Sequence, residues 1–236
     1  MLLYTMVEKT KIYKSAQKPA LNATTHGEIN LTEAMELTSK IACRNAAESF
    51  LGRMLEEEVI ALSEKITGHV LSIAEVRNAE TLFTYLHTGK EPRTYGSDRT
   101  LASTWMGNHK RVLVPKIIGL GIMKAVELRH DATFAVNRLG ITEPSNGKVY
   151  IGPLDVCIAP GLMFDAQGGR VGSGGGYYDR YLAEYHRRHP AGKGRKELVL
   201  IGLAYSVQVM RAVLMQEHDY RMHYVVTEQG VIDARR

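Results

Sequence analysis

Only two cysteines, Cys43 and Cys157, occur in 236 residues. That is too few for the disulfide framework of a small secreted domain, and Cys157 sits in an apolar stretch where a buried thiol is expected. The chain therefore suits a reducing compartment. No run of apolar residues approaches the length needed to cross a bilayer, and the opening residues, Met1 to Glu8, lack the basic flank and long apolar region of a signal peptide. Arginine is absent from residues 1 to 29, which makes them a poor mitochondrial transit peptide and leaves a cytoplasmic setting as the expectation. Zinc-ligand spacing and an RNP-like aromatic motif are also missing, and no internal repeat is visible.

Charge of one sign is not in large excess. Thirty Lys plus Arg face 25 Asp plus Glu, and the positive residues are spread out instead of forming one block. A mildly basic chain suits anionic small substrates, and also weak nucleic-acid binding. With 44% hydrophobic residues it can bury one sizeable core. A single domain is expected over residues 30–236, preceded by a loosely ordered extension over 1–29.

Glycine is abundant in one place. Six glycines fall within nine positions in Gly168-Gly169-Arg170-Val171-Gly172-Ser173-Gly174-Gly175-Gly176. Each ordered glycine gives up more backbone freedom than any other residue, so this density makes sense where bare backbone approaches a ligand or takes up positive φ. Before the run, Val156 to Pro160 reads as a short buried strand; after it, Tyr177, Tyr178, Tyr181, Leu182 and Tyr185 fall at helical spacing. Strand, glycine loop and helix in that order suit a phosphate. Loop amides and the positive helix end converge on the anion, Arg170 adds a forked cation, and Asp179 is placed to hold a divalent metal. A Walker A loop does not fit, since no Lys followed by Ser or Thr closes the run, and the strict GxGxxG of a dinucleotide fold is absent. The residues alone point to a nucleotide or phosphate site with a metal.

Elsewhere helices and strands alternate. Asn30 and Glu33 resemble a helix start, and Leu51, Leu55, Val59, Leu62 and Ile66 continue a helical face. Further helices are predicted at Ser72–Ala79 and Asp98–Met106. Strands are predicted at Leu82–Leu86, Arg111–Pro115 and Met123–Leu128, around Cys157, at Leu198–Leu203 and, last, at Tyr224–Val226. The alternation implies a single three-layer α/β/α domain, with a largely parallel sheet and helices on both faces.

The glycine segment, with Pro160-Gly161-Leu162-Met163-Phe164-Asp165 before it and Tyr177-Tyr178-Asp179 after it, resembles the signature of the 5-formyltetrahydrofolate cyclo-ligase family, also called 5,10-methenyltetrahydrofolate synthetases. Other segments agree in order and spacing. They are Lys40-Ile41-Ala42-Cys43-Arg44, Glu91-Pro92-Arg93-Thr94, Gly140-Ile141-Thr142-Glu143-Pro144, Glu217-His218-Asp219 and Val225-Val226-Thr227-Glu228. The match runs from Lys40 to Ile232.

The resemblance implies ATP-driven closure of 5-formyltetrahydrofolate, polyglutamylated forms included, to 5,10-methenyltetrahydrofolate, with Mg²⁺ as cofactor and release of ADP and phosphate. It implies ATP contacts by Lys40 and Arg44, whose spacing of four places them on one helical face, and by Arg170, Val171, Gly172, Ser173, Gly174, Gly175, Gly176, Tyr177 and Tyr178. Leu86 and Glu91 would line the folate pocket together with Ser173, Gly174, Gly175, Gly176 and Tyr177. Glu91, Arg170 and Tyr177 would act on the reacting groups, and Asp179 and Asp219 would hold Mg²⁺. A monomer is expected, with neither nucleic acid nor membrane as partner. The chain departs from the family pattern at Cys43, where leucine is usual, at Pro92, where an aliphatic residue is commoner, and at Ser173 and Gly175, where some relatives carry basic residues. Two readings from other classes stay open. One is a different ATP-dependent phosphotransferase sharing the loop; the other is a non-catalytic nucleic-acid-binding protein, suggested by the basic balance and by His186-Arg187-Arg188-His189.

Overall fold

The computed structural model describes residues 39–97, 99–190, 192 and 196–236. The helix start predicted at Asn30, the extension before it and Asp98 lie outside the described residues. Along the chain the elements are α1 (Lys40–Leu51), α2 (Glu56–Ser72), α3 (Ala74–Arg77), β1 (Thr81–Phe83), α4 (Leu101–Gly107), β2 (Arg111–Gly119), β3 (Ile122–Glu127), β4 (Phe134–Val136), β5 (Thr142–Pro144), β6 (Val156–Ala159), β7 (Met163–Asp165), β8 (Arg170–Val171), α5 (Tyr177–Arg188), β9 (Val199–Leu203), β10 (Val209–Met210), β11 (Tyr224–Thr227) and β12 (Gly230–Asp233).

Seven strands form the main sheet in the order β12-β11-β9-β6-β1-β2-β3. The inner five run parallel, and an antiparallel strand closes each edge, β3 on β2 and β12 on β11. The inner strands are apolar on both faces because both faces are covered. In β6, Val156 and Ile158 join one core with Ile66 and Val70 of α2 and Trp105 of α4. Cys157 and Ala159, one residue out of phase, join the other with Tyr178, Tyr181, Leu182 and Tyr185 of α5. Side chains such as Ile66 and Leu182 are fully buried, each stabilising the fold by roughly 1.5–3 kcal/mol relative to exposure. This is the predicted three-layer α/β/α arrangement.

Several segments differ from expectation. The apolar face through Leu51 and Ile66 is not one helix: the chain turns after Leu51, and Leu55 becomes the exposed N-cap of α2. Glu56, Glu57 and Glu58 then occupy the first turn, where the positive helix end favours carboxylates. The helix predicted at Ser72–Ala79 shrinks to the single turn of α3. β1 ends at Phe83, short of Leu86. β2 runs through Pro115 to Gly119; among the described residues β3 is the one strand paired with it beyond Leu113, and a strand paired on one side tolerates a residue that lacks an N–H. The β4–β5 hairpin, the small sheet β10-β7-β8 and strand β12 were not predicted.

The sheet order fixes where a ligand sits. From β1 the chain steps outward to β2, whereas from β6 it steps the other way to β9 and β11, and β1 and β6 are neighbours. Open α/β sheets bind ligands outside the carboxyl ends of the strands at such a reversal. The segment leaving β1 there carries Leu86 and Glu91, and the segment leaving β6 carries the glycine loop.

The small sheet holds that loop. Buried Asp165 closes β7, and its carboxylate accepts the amides of Gln167, Gly169 and Val213 at 3.0, 2.7 and 2.9 Å. Gly168 turns the chain at φ 79°, its N–H donating to Asp165 O at 3.1 Å and its oxygen accepting Met222 N at 2.8 Å. A Cβ at Gly168 would stand 2.1 Å from Met222 O. Gly168→Ala therefore combines left-handed strain of about 1–2 kcal/mol with a displaced backbone, and a loss of at least ~2 kcal/mol is expected in urea unfolding. An unchanged unfolding midpoint would show that this turn opens without cost.

Candidate active site

Helix α1 begins at Ser39, whose hydroxyl accepts the Ala42 amide at 3.1 Å, and it packs on the small sheet through Cys43 and Ala47 against Met163 and Val171. That packing leaves Arg44 facing the glycine loop and Lys40 facing the segment of Gln216 and Asp219. Lys40 Nζ pairs with Asp219 and donates to Gln216 Oε1 at 3.2 Å. Burial works to raise the Asp219 pKa, but the bonds from Lys40 and from the Gln216 amide outweigh it and hold the carboxyl below its ordinary value. Arg44 Nε donates to Gly172 O at 2.9 Å and fastens the loop to α1.

Arg170 is buried, with both Asp179 oxygens accepting from Nη2 at 2.8 Å and Pro160 O accepting from Nη1 at 3.0 Å. Its guanidinium stands 5.9 Å from the Tyr178 ring centre. Asp179 Oδ1 also accepts the Tyr220 amide at 3.3 Å, so the residue after Asp219 touches Asp179. The two carboxylates predicted to hold metal are thus brought into one neighbourhood, but each already holds a cation. Among the described residues, no cluster of three or more His, Cys, Asp or Glu forms a ready cage.

Beyond Gly172 the loop is exposed from Ser173 to Gly175. Gly174 sits at φ 102° against Arg44, where a Cβ would stand 3.2 Å from the guanidinium carbon, and Gly176 caps α5 at φ 62°. No side chain caps that helix end, so its first amides remain available to an anion. Tyr177, half-buried, opens α5 with the Arg180 guanidinium 5.5 Å from its ring centre. Tyr178 is core packing against Phe83, with ring centres 5.9 Å apart.

On the β1 side, Leu86 is buried and Glu91 half-buried. Glu91 Oε2 accepts the Thr88 amide at 2.7 Å and the Thr88 hydroxyl at 3.0 Å. Burial raises its pKa, against which the two Thr88 bonds act. Its charge is felt by the Tyr85, Tyr178 and Tyr205 hydroxyls, all of which burial shifts upward first.

Thr84 Oγ1, the Tyr178 and Tyr205 hydroxyls and Arg170 Nε are buried without a partner. They follow the ends of β1 and β9 or flank the glycine loop. Buried polar atoms are nearly always bonded, so these four are atoms whose partners the fold alone does not supply. Sequence reasoning missed Thr84, Tyr85, His87 and Tyr205, and also Asp165 as the anchor of the loop. Only Asp165 carried a signal, the Asp-x-x-x-Gly spacing that lets one carboxylate gather loop amides.

A parallel sheet whose reversal point is lined by free amides, cations and orphaned hydroxyls defines a nucleotide- or phosphate-handling α/β protein. The model of the 5-formyltetrahydrofolate cyclo-ligase family matches residues 36–228. The chain belongs to that family. The probable 5-formyltetrahydrofolate cyclo-ligase of Schizosaccharomyces pombe is 27% identical, over 80% of this chain and 95% of its own length. The 5-formyltetrahydrofolate cyclo-ligase of Mus musculus is 32% identical, over 82% of this chain and 95% of its own length. Among solved structures, the 5,10-methenyltetrahydrofolate synthetase of Aquifex aeolicus is similar at a TM-score of 0.65 and 27% identity, covering 84% of this chain and 93% of that one. Among the described residues, no helix is long and apolar enough to cross a membrane.

Proposed function

We propose that this chain uses ATP to close 5-formyltetrahydrofolate, with or without a polyglutamate tail, to 5,10-methenyltetrahydrofolate. Lys40, Arg44, Arg170 and the glycine-loop amides meet the phosphates, and Leu86 and Glu91 lie beside the folate. The observation that supports this most is the pairing at the loop mouth. Two cations suited to phosphate, Lys40 and Arg170, hold the two carboxylates suited to metal, Asp219 and Asp179.

The formyl oxygen is a poor leaving group. A bond from it to the γ-phosphorus forms as the bond to the β-phosphate oxygen breaks and ADP departs. N10 then bonds to the formyl carbon and loses its proton, and the carbon–oxygen bond breaks to release phosphate. Phosphoryl transfer asks the protein chiefly for in-line positioning and charge neutralisation. Arg170, held rigidly between Pro160 and Asp179, supplies a forked cation. Glu91, fixed by Thr88, orients the folate, and Tyr177 offers a half-buried ring and hydroxyl at the loop's end.

Asp179 and Asp219 are hard oxygen donors that fit Mg²⁺, which commonly takes one or two carboxylates beside phosphate and water and supplies charge neutralisation there. Lys40 frees Asp219 when it turns to phosphate, so metal affinity depends on nucleotide. Titration with Mn²⁺ as a spectroscopic probe, corrected for ion held by free nucleotide, is expected to show binding about tenfold or more tighter once a non-hydrolysable ATP analogue is present. Lys40→Ala should raise Mn²⁺ affinity in the nucleotide-free protein by releasing Asp219. Equal affinity with and without nucleotide would sink this arrangement. The reaction itself is tested by the ultraviolet absorbance of the methenyl product with 5-formyltetrahydrofolate, ATP and Mg²⁺. We place the protein in the cytoplasm as a monomer that does not engage nucleic acid.

A further inference from the structure

A cavity of about 230 Å³ opens between α2 and the segment that follows β1. Ser63 contributes to it from α2, and His87, Arg93 and Tyr95 from the β1 segment, which also carries Leu86 and Glu91. We infer that this cavity receives the glutamate end of the folate, with Arg93 as the cation that binds its carboxylate. This rests on the folate reading given above.

The substrate's chemistry sets the demand. A folate has a pterin at one end, where the formyl group reacts, and a glutamate with two carboxylates at the other. Those carboxylates need donors that are not committed to ATP, and Lys40, Arg44 and Arg170 are. The cavity is smaller than the usual ~300–1,000 Å³ of whole-ligand pockets, which suits one end of an extended molecule.

Arg93, which lines the cavity, stands two residues from Glu91 on the same segment. Burial pushes the Tyr205 hydroxyl up to about 12, and the charges of Glu91 and Arg93 both reach it, in opposite senses. The segment is well fixed there: Arg93 N donates to Ser63 Oγ at 2.8 Å, and the Tyr85 hydroxyl donates to Pro92 O at 3.1 Å.

Two features are unexplained by the fold alone. His87 Nδ1 is buried without a partner, and burial, helped by Arg93, holds the imidazole neutral with a pKa of about 4. A neutral ring offers either a donor or an acceptor, suiting the amide that joins aminobenzoate to glutamate. Arg93, for its part, pairs with Glu56, which is more than half exposed and also holds Lys90 at 3.0 Å. Exposed pairs of this kind are weak, and Lys90 keeps Glu56 neutralised when Arg93 turns inward. At the rim Glu64 is taken by Arg99 at 3.1 Å, which leaves the entering carboxylate facing Arg93.

Calorimetry on the full chain with 5-formyltetrahydrofolate and with 5-formyltetrahydropteroate, which lacks only the glutamate, tests the assignment. The wild type is expected to bind the first about tenfold more tightly, the worth of one charge-assisted carboxylate contact. Arg93→Gln should erase that preference, weakening the folate about tenfold and leaving the pteroate within twofold. Glu56→Gln should strengthen the folate alone, since it frees Arg93. If the wild type binds both ligands equally, or Arg93→Gln weakens both alike, the cavity is not the glutamate site although the folate reading stands. If the wild type binds neither, the folate reading itself falls and takes this inference with it.

Discussion

Arg170→Lys is expected to keep ATP binding near normal and to lose about a hundred- to a thousandfold in kcat, the scale of removing one preorganised donor from a site of developing charge. The reason lies in the fork. Arg170 sends two bonds to Asp179 and one to Pro160 O while its ring-facing side lies near Tyr178, and Nε is left over. An ammonium keeps the charge and three donors but not the planar, fixed fork, so it loses the geometry that aims charge at the transferring phosphoryl group. Single-turnover rates beside nucleotide affinity separate the two effects. A variant with wild-type turnover would make Arg170 a structural clamp on α5 and nothing more.

Glu91→Gln is expected to leave ATP affinity unchanged and to lower the folate-dependent rate about tenfold to a hundredfold, which corresponds to ~1.5–3 kcal/mol for one charged hydrogen bond. The sign of the pH dependence follows from burial. A raised Glu91 pKa means that the carboxylate is lost, as pH falls, earlier than an ordinary glutamate would be. If the ionised form orients the substrate, kcat/KM declines on the acid side through that raised value, and the glutamine variant lacks this limb. Wild-type folate kinetics in the variant, or a defect confined to ATP binding, would mean that a different group serves the folate.

The glycine loop and the helix after it were legible because of their unusual composition. The glycine run stood out because a strand precedes it and a helix follows it, and the tyrosine stripe announced α5 and its buried face. Lys40 and Arg44 were singled out by the family resemblance, their spacing adding only a shared helical face; α1 presents Arg44 to the loop at Gly172 and Lys40 to Asp219. The orphaned atoms at Thr84, His87 and Tyr205 were not legible, because nothing in an isolated threonine, histidine or tyrosine tells whether folding will leave it a partner. The same holds for Asp179 and Asp219: sequence supplied two carboxylates, whereas only the fold shows that Arg170 and Lys40 already occupy them. The break between α1 and α2 was hidden because Leu55 continues the apolar period while sitting exposed at a cap. Strand β12 was hidden because its pairing depends on a tight return at Gly230 and not on alternation within itself.

Asp165 gathers three amides at one end of the glycine run, Arg44 holds Gly172 O in its middle, and Arg180 holds Gly175 O at the other end. Ordering six glycines costs roughly 0.5–1 kcal/mol each relative to alanine, about 3–6 kcal/mol in all, which is comparable with the ~5–15 kcal/mol that keeps a typical domain folded. With those fastenings made before any ligand arrives, that entropy is lost in the folding equilibrium and not at each encounter with nucleotide. Association is then free of a loop-closing step, and the heat-capacity change of binding reports little beyond the surface the nucleotide itself covers.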